Sequence, residues 1–232
     1  MNADRHASGI ILFSLLSEDD EHGDRAALSI VRRLTQRCTT YLVEDRITQD
    51  STEPVDTDVT TQRRIQRLQT FAEQLGVTLE VEVANTGLWL ERAKEAIENE
   101  ILMLHQPRSA LDRQTRAFRQ LERAVSALPN NVIYAPTGVL SNSRTVIAFS
   151  RKQDESSARL ATQFAGNQGH IETFDYHRLQ EIKQPQSPLR LKLQSQLPAM
   201  ILIEGEDDEG SGSTYSRLAE TVGAPVLVIS RR

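Results

Sequence analysis

Cysteine is almost missing from this chain. Among 232 residues only Cys38 is present, so no internal disulfide can form and the fold must be held by its own core. The position of Cys38, between a helical stretch and an apolar run, suits a half-buried apolar residue better than a reactive thiol. No apolar run approaches the roughly 20 residues needed to span a bilayer. No basic and apolar leader-like stretch opens the chain either, because Asn2, Asp4, Arg5 and His6 interrupt it. A cytoplasmic location is therefore expected. Basic charge is not in excess, since a net charge of -5 argues against a general nucleic-acid binder, whose affinity comes from clustered Lys and Arg. The five histidines form no His-Glu-x-x-His set, and no metal site is expected. A Walker loop, a Gly-x-Ser-x-Gly elbow and a defensible Cys–His pairing are all missing, so the sequence names no catalytic residue.

What is present is an ordinary globular balance, 38% hydrophobic and 25% charged residues, enough to fill one large core or two small ones. Gly9 to Phe13 is a continuous apolar run, followed by a helical pattern through Ala26, Ala27, Ile30, Val31 and Leu34. Thr39 to Val43 reads as a second strand. The polar, acidic stretch Thr48 to Thr61 reads as a loop, and a helix carrying Ile65, Leu68, Phe71, Ala72 and Leu75 stops at Gly76. Alternation at Val77, Leu79, Val81 and Val83 marks a third strand. A short helix over Leu88 to Ile97, where Trp89 is a packing residue, precedes a strand at Glu100 to Leu104. Helix Ala110 to Leu128 and strand Val132 to Ala135 complete the series. Strands alternating with helices imply parallel pairing through right-handed crossovers.

The pattern then restarts. Thr145-Val146-Ile147-Ala148-Phe149-Ser150 echoes Ile10-Ile11-Leu12-Phe13-Ser14 in its apolar run and its Phe-Ser ending. A helix over Glu155 to Ala165 and a strand over Gly169 to Phe174 follow in the same order. The middle is then shortened: Tyr176 to Leu197 has room for one or two short helices, broken by Pro185 and Pro188, and no third strand. Ala199 to Ile203, Tyr215 to Val222 and Ala224 to Ile229 supply the closing strand, helix and strand. Two units are expected, 1–138 and 139–232, joined through Thr137 to Ser143.

The closing segment, Gly212-Ser213-Thr214 before Ser216-Arg217-Leu218-Ala219 and then Gly223-Ala224-Pro225-Val226-Leu227-Val228-Ile229, resembles the last block of universal stress protein domains. In that family a Gly-Ser or Gly-Thr opens the final helix, and a small residue with Pro leads into an apolar strand. The duplicated Phe-Ser strands extend the resemblance over nearly the whole chain. It implies an α/β fold of two flavodoxin-like parallel-sheet units, of the adenine-nucleotide-hydrolase-like type, in tandem with the second shortened. It also implies ATP or AMP as the ligand class and association through the fifth strands, which in a tandem chain can pair Val132–Ala135 with Val226–Ile229 inside one molecule. The cytosolic regulatory domains of cation/proton antiporters and cation-chloride cotransporters look similar, so a membrane transporter is a further candidate partner.

Nucleotide-binding members end strand one in an acidic residue and follow strand four with Gly-x2-Gly-x9-Gly-Ser/Thr. Here strand one ends in Ser14, and its repeat in Ser150. Gln106-Pro107-Arg108-Ser109-Ala110 holds no glycine to let backbone amides approach a phosphate. The second unit's loop has Gly205, Gly210 and Gly212 at the wrong spacing, among Glu204, Glu206, Asp207, Asp208 and Glu209. Carboxylates about 4 Å apart repel by roughly 1 kcal/mol in water, so a triphosphate there needs a bridging cation. Ser150, Gly205, Gly210, Gly212, Ser213 and Thr214 are the positions the resemblance offers for a nucleotide. For Ser213 and Thr214 plain helix capping is the competing reading. The loop from Gly205 to Ser213 is a solvated tip or a partner-binding loop. Arg113, Arg116, Arg119 and Arg123, with Arg108 before them, form a basic stripe that is either a solvated helical face or a complement to that acidic loop. The expectation is a non-catalytic regulatory or stress-response module acting through protein contacts, with weak or lost adenine-nucleotide binding. The alternatives are an ATP/AMP-binding stress protein and a transporter's regulatory domain. A pyrophosphatase-type enzyme is disfavoured because its Ser-Gly-Gly phosphate loop is missing.

Overall fold

A computed structural model describes residues 9–16, 20–43, 58–84, 91, 94–95, 100–107, 115–137, 143–150, 155–182, 184–204 and 212–230. Its strands are β1 (Gly9–Leu15), β2 (Arg37–Val43), β3 (Thr78–Ala84), β4 (Glu100–His105), β5 (Asn131–Ala135), β6 (Thr145–Ser150), β7 (His170–Asp175), β8 (Met200–Glu204) and β9 (Val226–Ile229). The helices are α1 (Glu21–Leu34), α2 (Val59–Leu75), α3 (Arg116–Ser126), α4 (Glu155–Ala165), α5 (Leu179–Ile182), α6 (Pro188–Gln196) and α7 (Gly212–Val222), with a 3₁₀ turn at Tyr176–Arg178 before α5. All the strands form one sheet in the order β3-β2-β1-β4-β5-β9-β8-β6-β7. Every neighbouring pair is parallel except β5 with β9. There Val132 faces Val228, Ile133 faces Leu227 and Tyr134 faces Val226, which is the fifth-strand pairing within one chain.

Near-continuous apolar strands are what a parallel sheet covered on both faces requires, and the side chains divide by parity. Ile11, Phe13, Leu15, Ile147, Phe149, Ile201 and Ile203 pack on one face with α3, α5, α6 and α7. Ile10, Leu12, Val146, Ala148, Met200 and Leu202 pack on the other with α1, α2 and α4. The two halves meet on both faces. The Tyr134 and Tyr215 rings meet at a tilt, 6.1 Å between centroids, Gln106 Nε2 donates to the Ser216 carbonyl at 2.9 Å, and Gln163 Nε2 donates to the Leu34 carbonyl at 2.5 Å. Burial pushes the Tyr134 phenol up to about 12.

Gly76 closes α2 at φ 67°, the left-handed turn that glycine adopts without a Cβ penalty. The expected helix over Ala110 to Leu128 is described only as α3: Thr115, with its hydroxyl accepting from Phe118 N, caps a helix that starts at Arg116, where the pattern suggested Ala110. Residues 108–114 and most of the expected helix over Leu88 to Ile97, including Trp89, lie outside the described residues. Pro188 does not break its segment. It is the first residue of α6, after Ser187, whose hydroxyl accepts from Arg190 N at 3.1 Å. Cys38 is fully rather than half buried, at 4% exposure, and burial pushes its thiol up to about 12, which keeps it unreactive. No described helix is long and apolar enough to cross a membrane.

Leu227 is fully buried and sits opposite Ile133 across the antiparallel seam. Leu227→Ala is expected to lower stability by about 2–5 kcal/mol in a single urea transition followed by circular dichroism. Two separated transitions, one of them unaffected, would contradict a shared core across β5 and β9.

Candidate functional site

In an open α/β sheet the ligand crevice lies beyond the carboxyl ends of the strands where the strand order reverses. Here that is between β1 and β4 in the first half and between β6 and β8 in the second. The register pairs Phe13 with Leu104 and Phe149 with Ile203. The residues one step on are Ser14 with His105 and Ser150 with Glu204. Both pairs fall on the face covered by α1, α2 and α4, since parity places them in line with Leu12 and Met103, and with Ala148 and Leu202.

At the first reversal point the crevice is filled by an arginine. Arg64 stands one and two turns before Leu68 and Phe71, on the buried side of α2. Its Nε donates to Asp24 Oδ2 at 3.1 Å and its Nη2 to Asp24 Oδ1 at 2.8 Å, a bidentate fork. Nη1 donates to the Leu15 carbonyl at 2.7 Å and Nη2 also to Ser14 Oγ at 2.8 Å. Asp24 takes a second cation, Arg67 Nη2, at 3.0 Å, and its place in the first turn of α1 suits a carboxylate at the positive end of a helix. Ser14, Asp24, Arg64 and His105 are 1–2% exposed.

His105 completes this cluster. Ser14 Oγ lies 3.2 Å from His105 Nδ1. The same oxygen accepts from Arg64 Nη2, so Ser14 links the guanidinium to the imidazole. Nε2 has no hydrogen-bond partner and packs against the first turn of α1. A Cβ on Gly23 would come within 2.5 Å of Nε2 and 2.6 Å of Asp20 Oδ2, so only glycine fits there. Burial is the first cause that holds the His105 pKa below its ordinary value near 6.5; Arg64 lowers it further, while Asp24 and Asp20 pull the other way. Ser14 and His105 have the spacing of a nucleophile and base, yet both are sealed from solvent and Ser14 is held by a guanidinium. That arrangement is structural.

The second reversal point repeats the design with other residues. Ser150 Oγ and Ser157 Oγ both donate to Glu204 Oε1 at 2.7 Å. Ser157 is third in α4 as Gly23 is third in α1, so a hydroxyl reaches the strand end where the first half has bare backbone. Ser150 is thus engaged with Glu204. Ser213 and Thr214 lie in the first turn of α7, on the opposite face of the sheet, and border a cavity of about 320 Å³ between α7 and the α5–α6 segment. Tyr176, Leu179, Arg190, Arg217 and Leu218 also line it. Gly212 opens α7, and Gly205 and Gly210 lie outside the described residues. The structure therefore brings Ser213 and Thr214 together and leaves Ser150 elsewhere. Of the basic stripe, Arg116, Arg119 and Arg123 are exposed on α3, and Arg108 and Arg113 lie outside the described residues. Arg64, Asp24, His105 and Glu204 carry no motif in the sequence. The available signal was an arginine in step with Leu68 and Phe71. Among the described residues no three metal-ligating side chains come together.

The fold is similar to the crystal structure of a universal stress protein from Archaeoglobus fulgidus DSM 4304. The TM-score is 0.57 and the identity 12%, over 98% of this chain and 97% of that one. At that identity the likeness is one of fold. No family model matches the chain, and no curated protein matches it.

Arg64→Met leaves Asp24 buried with only Arg67, and the expected cost is about 3–5 kcal/mol, read from urea denaturation. The double change Asp24→Leu, Arg64→Met is expected to recover most of that loss. Stability should also depend on pH through His105. Its folded pKa lies below the unfolded one, so the contribution is present above about 6.5 and is lost as pH falls, by up to about 1.4 kcal/mol per pH unit. His105→Gln is expected to flatten that slope; an unchanged slope would contradict a buried neutral imidazole.

Proposed function

We propose that this universal-stress-type fold serves as a non-catalytic regulatory module that acts through protein contacts and has lost adenine-nucleotide binding in its first unit, residues 1–138. The observation that carries this reading is the Arg64 guanidinium at the end of β1. It makes four close hydrogen bonds to Asp24, Leu15 and Ser14 in the crevice that such a sheet offers to a ligand. Displacing it would leave the buried Asp24 carboxylate with Arg67 alone, which costs more than a typical ligand contact returns. The pairing of β5 with β9 consumes the strand edge through which related units associate, and leaves β3 and β7 at the margins of the sheet. A partner therefore meets helices, loops or those outer strands.

A second reading places an adenine nucleotide in the second unit, residues 139–232. It is favoured by Ser213 and Thr214, which border a cavity at the N-terminal end of α7, where backbone amides and the helix dipole favour an anion.

Isothermal titration with ATP, ADP and AMP, with and without magnesium, follows a check for nucleotide carried through purification. The expected outcome is no saturable heat at millimolar ligand and no phosphate release from ATP. Micromolar binding lost in Ser213→Ala, Thr214→Val would establish the second reading. Micromolar binding that survives those changes would put nucleotide in the first unit and overturn the proposal.

A further inference from the structure

The α7 residues that border the cavity, Thr214, Arg217, Leu218 and Thr221, recur at spacings of three and four. They form one stripe that faces α5 and α6 across the groove. The cavity thus follows α7 for two turns away from its first residues. It opens on the face of the sheet opposite the Ser150–Glu204 pair, so it is a different place from the strand-end crevice. Arg190 enters it from the first turn of α6, where Ser187 fixes the helix start.

Among the described residues that line this groove, the charged ones are Arg190 and Arg217. Arg190 is half-buried, and its Nε is fully buried with no hydrogen-bond partner. Arg217 lines the same cavity and takes part in no ion pair with a described residue. On the flanking elements, Glu181 receives Arg178 at 2.9 Å and Glu172 receives the Lys192 ammonium. A desolvated guanidinium donor without an acceptor is costly within the chain, and it is a strong, directional donor to a carboxylate or phosphate oxygen. Leu179, Leu218, Tyr176 and Tyr215 give the groove apolar and aromatic lining from both sides.

From the two guanidinium groups that line it, the apolar lining and the size of the space, we infer that this groove binds a small organic anion: one carboxylate or phosphate-monoester head on a compact, single-ring apolar body. The head lies between Arg190 and Arg217, and the ring lies against Tyr176 and Leu218. A cavity of about 320 Å³ is at the lower end of the range for small-molecule sites, about 300–1,000 Å³, which matches one ring and not a nucleoside triphosphate. The inference does not rest on nucleotide binding by either unit.

The test uses phenyl phosphate and benzoate as probes, with benzyl alcohol as the neutral analogue and inorganic phosphate as the head alone. Binding is followed by isothermal titration and by ¹H–¹⁵N NMR shifts on the full chain. Phenyl phosphate or benzoate is expected to bind at millimolar concentration or better, to shift amides of α6 and α7, and to bind at least about tenfold more tightly than benzyl alcohol and inorganic phosphate. Arg190→Gln and Arg217→Gln should each weaken binding by about tenfold. Arg190→Lys, which keeps the charge but loses the fork, should weaken it less, and thermal melting checks that each variant remains folded. The inference is overturned if neither probe binds, if affinity in folded Arg190→Gln equals that of the parent, or if the shifts fall outside α6 and α7. AMP binding more tightly than phenyl phosphate would overturn the single-ring class and favour the nucleotide reading instead.

Discussion

The buried pair of Arg64 and Asp24 is the constraint on which the first half of the molecule depends. An arginine at 1% exposure is tolerable only when its donors are met, and this one draws on three separate elements at once. Asp24 comes from α1, the Leu15 carbonyl and Ser14 hydroxyl from β1, and the guanidinium itself from α2. The pair therefore fixes α1 and α2 over the carboxyl end of β1, and through Ser14 it is tied to His105 at the end of β4. A polar network of this kind is worth keeping only when its members are satisfied. His105 Nε2, which has no partner, lies against Gly23, where the helix backbone leaves no room for a side chain.

The second half lacks the α2-type crossover, and its strand end differs accordingly. Among the described residues, the connection from β7 to β8 runs through the 3₁₀ turn, α5 and α6 on the face of α3 and α7, with no strand between. The polar residue at the strand end is a carboxylate instead of an imidazole, and serine hydroxyls from β6 and α4 hold it. The cavity lies along the contact of this connection with α7.

Much of the architecture was legible because it rests on periodicity. The Phe-Ser endings of β1 and β6, the alternation in β3, Gly76 after α2, and the missing third strand of the second half all appear where pattern and turn chemistry put them. The start of α3 was not legible, because apolar spacing continues past the cap at Thr115. The strand-end clusters were hidden for another reason. Arg64 and Asp24 are forty positions apart, and a buried arginine on a helix carries the same letter as a solvated one. Only its phase with Leu68 and Phe71 distinguishes it. Arg190, which lines the same cavity as Ser213 and Thr214, was not legible, because it comes from the segment whose path the sequence left open.

A guanidinium occupies the first crevice in the folded protein, and the most direct test of that occupancy is hydrogen exchange of the Arg64 Nε–H by ¹⁵N NMR, assigned through its loss in Arg64→Lys. The expected result is one strongly protected side-chain resonance that exchanges far more slowly than those of the exposed Arg116 and Arg119 and does not move when ATP is added. Exchange as fast as at those exposed arginines, or a shift on adding ATP, would contradict it.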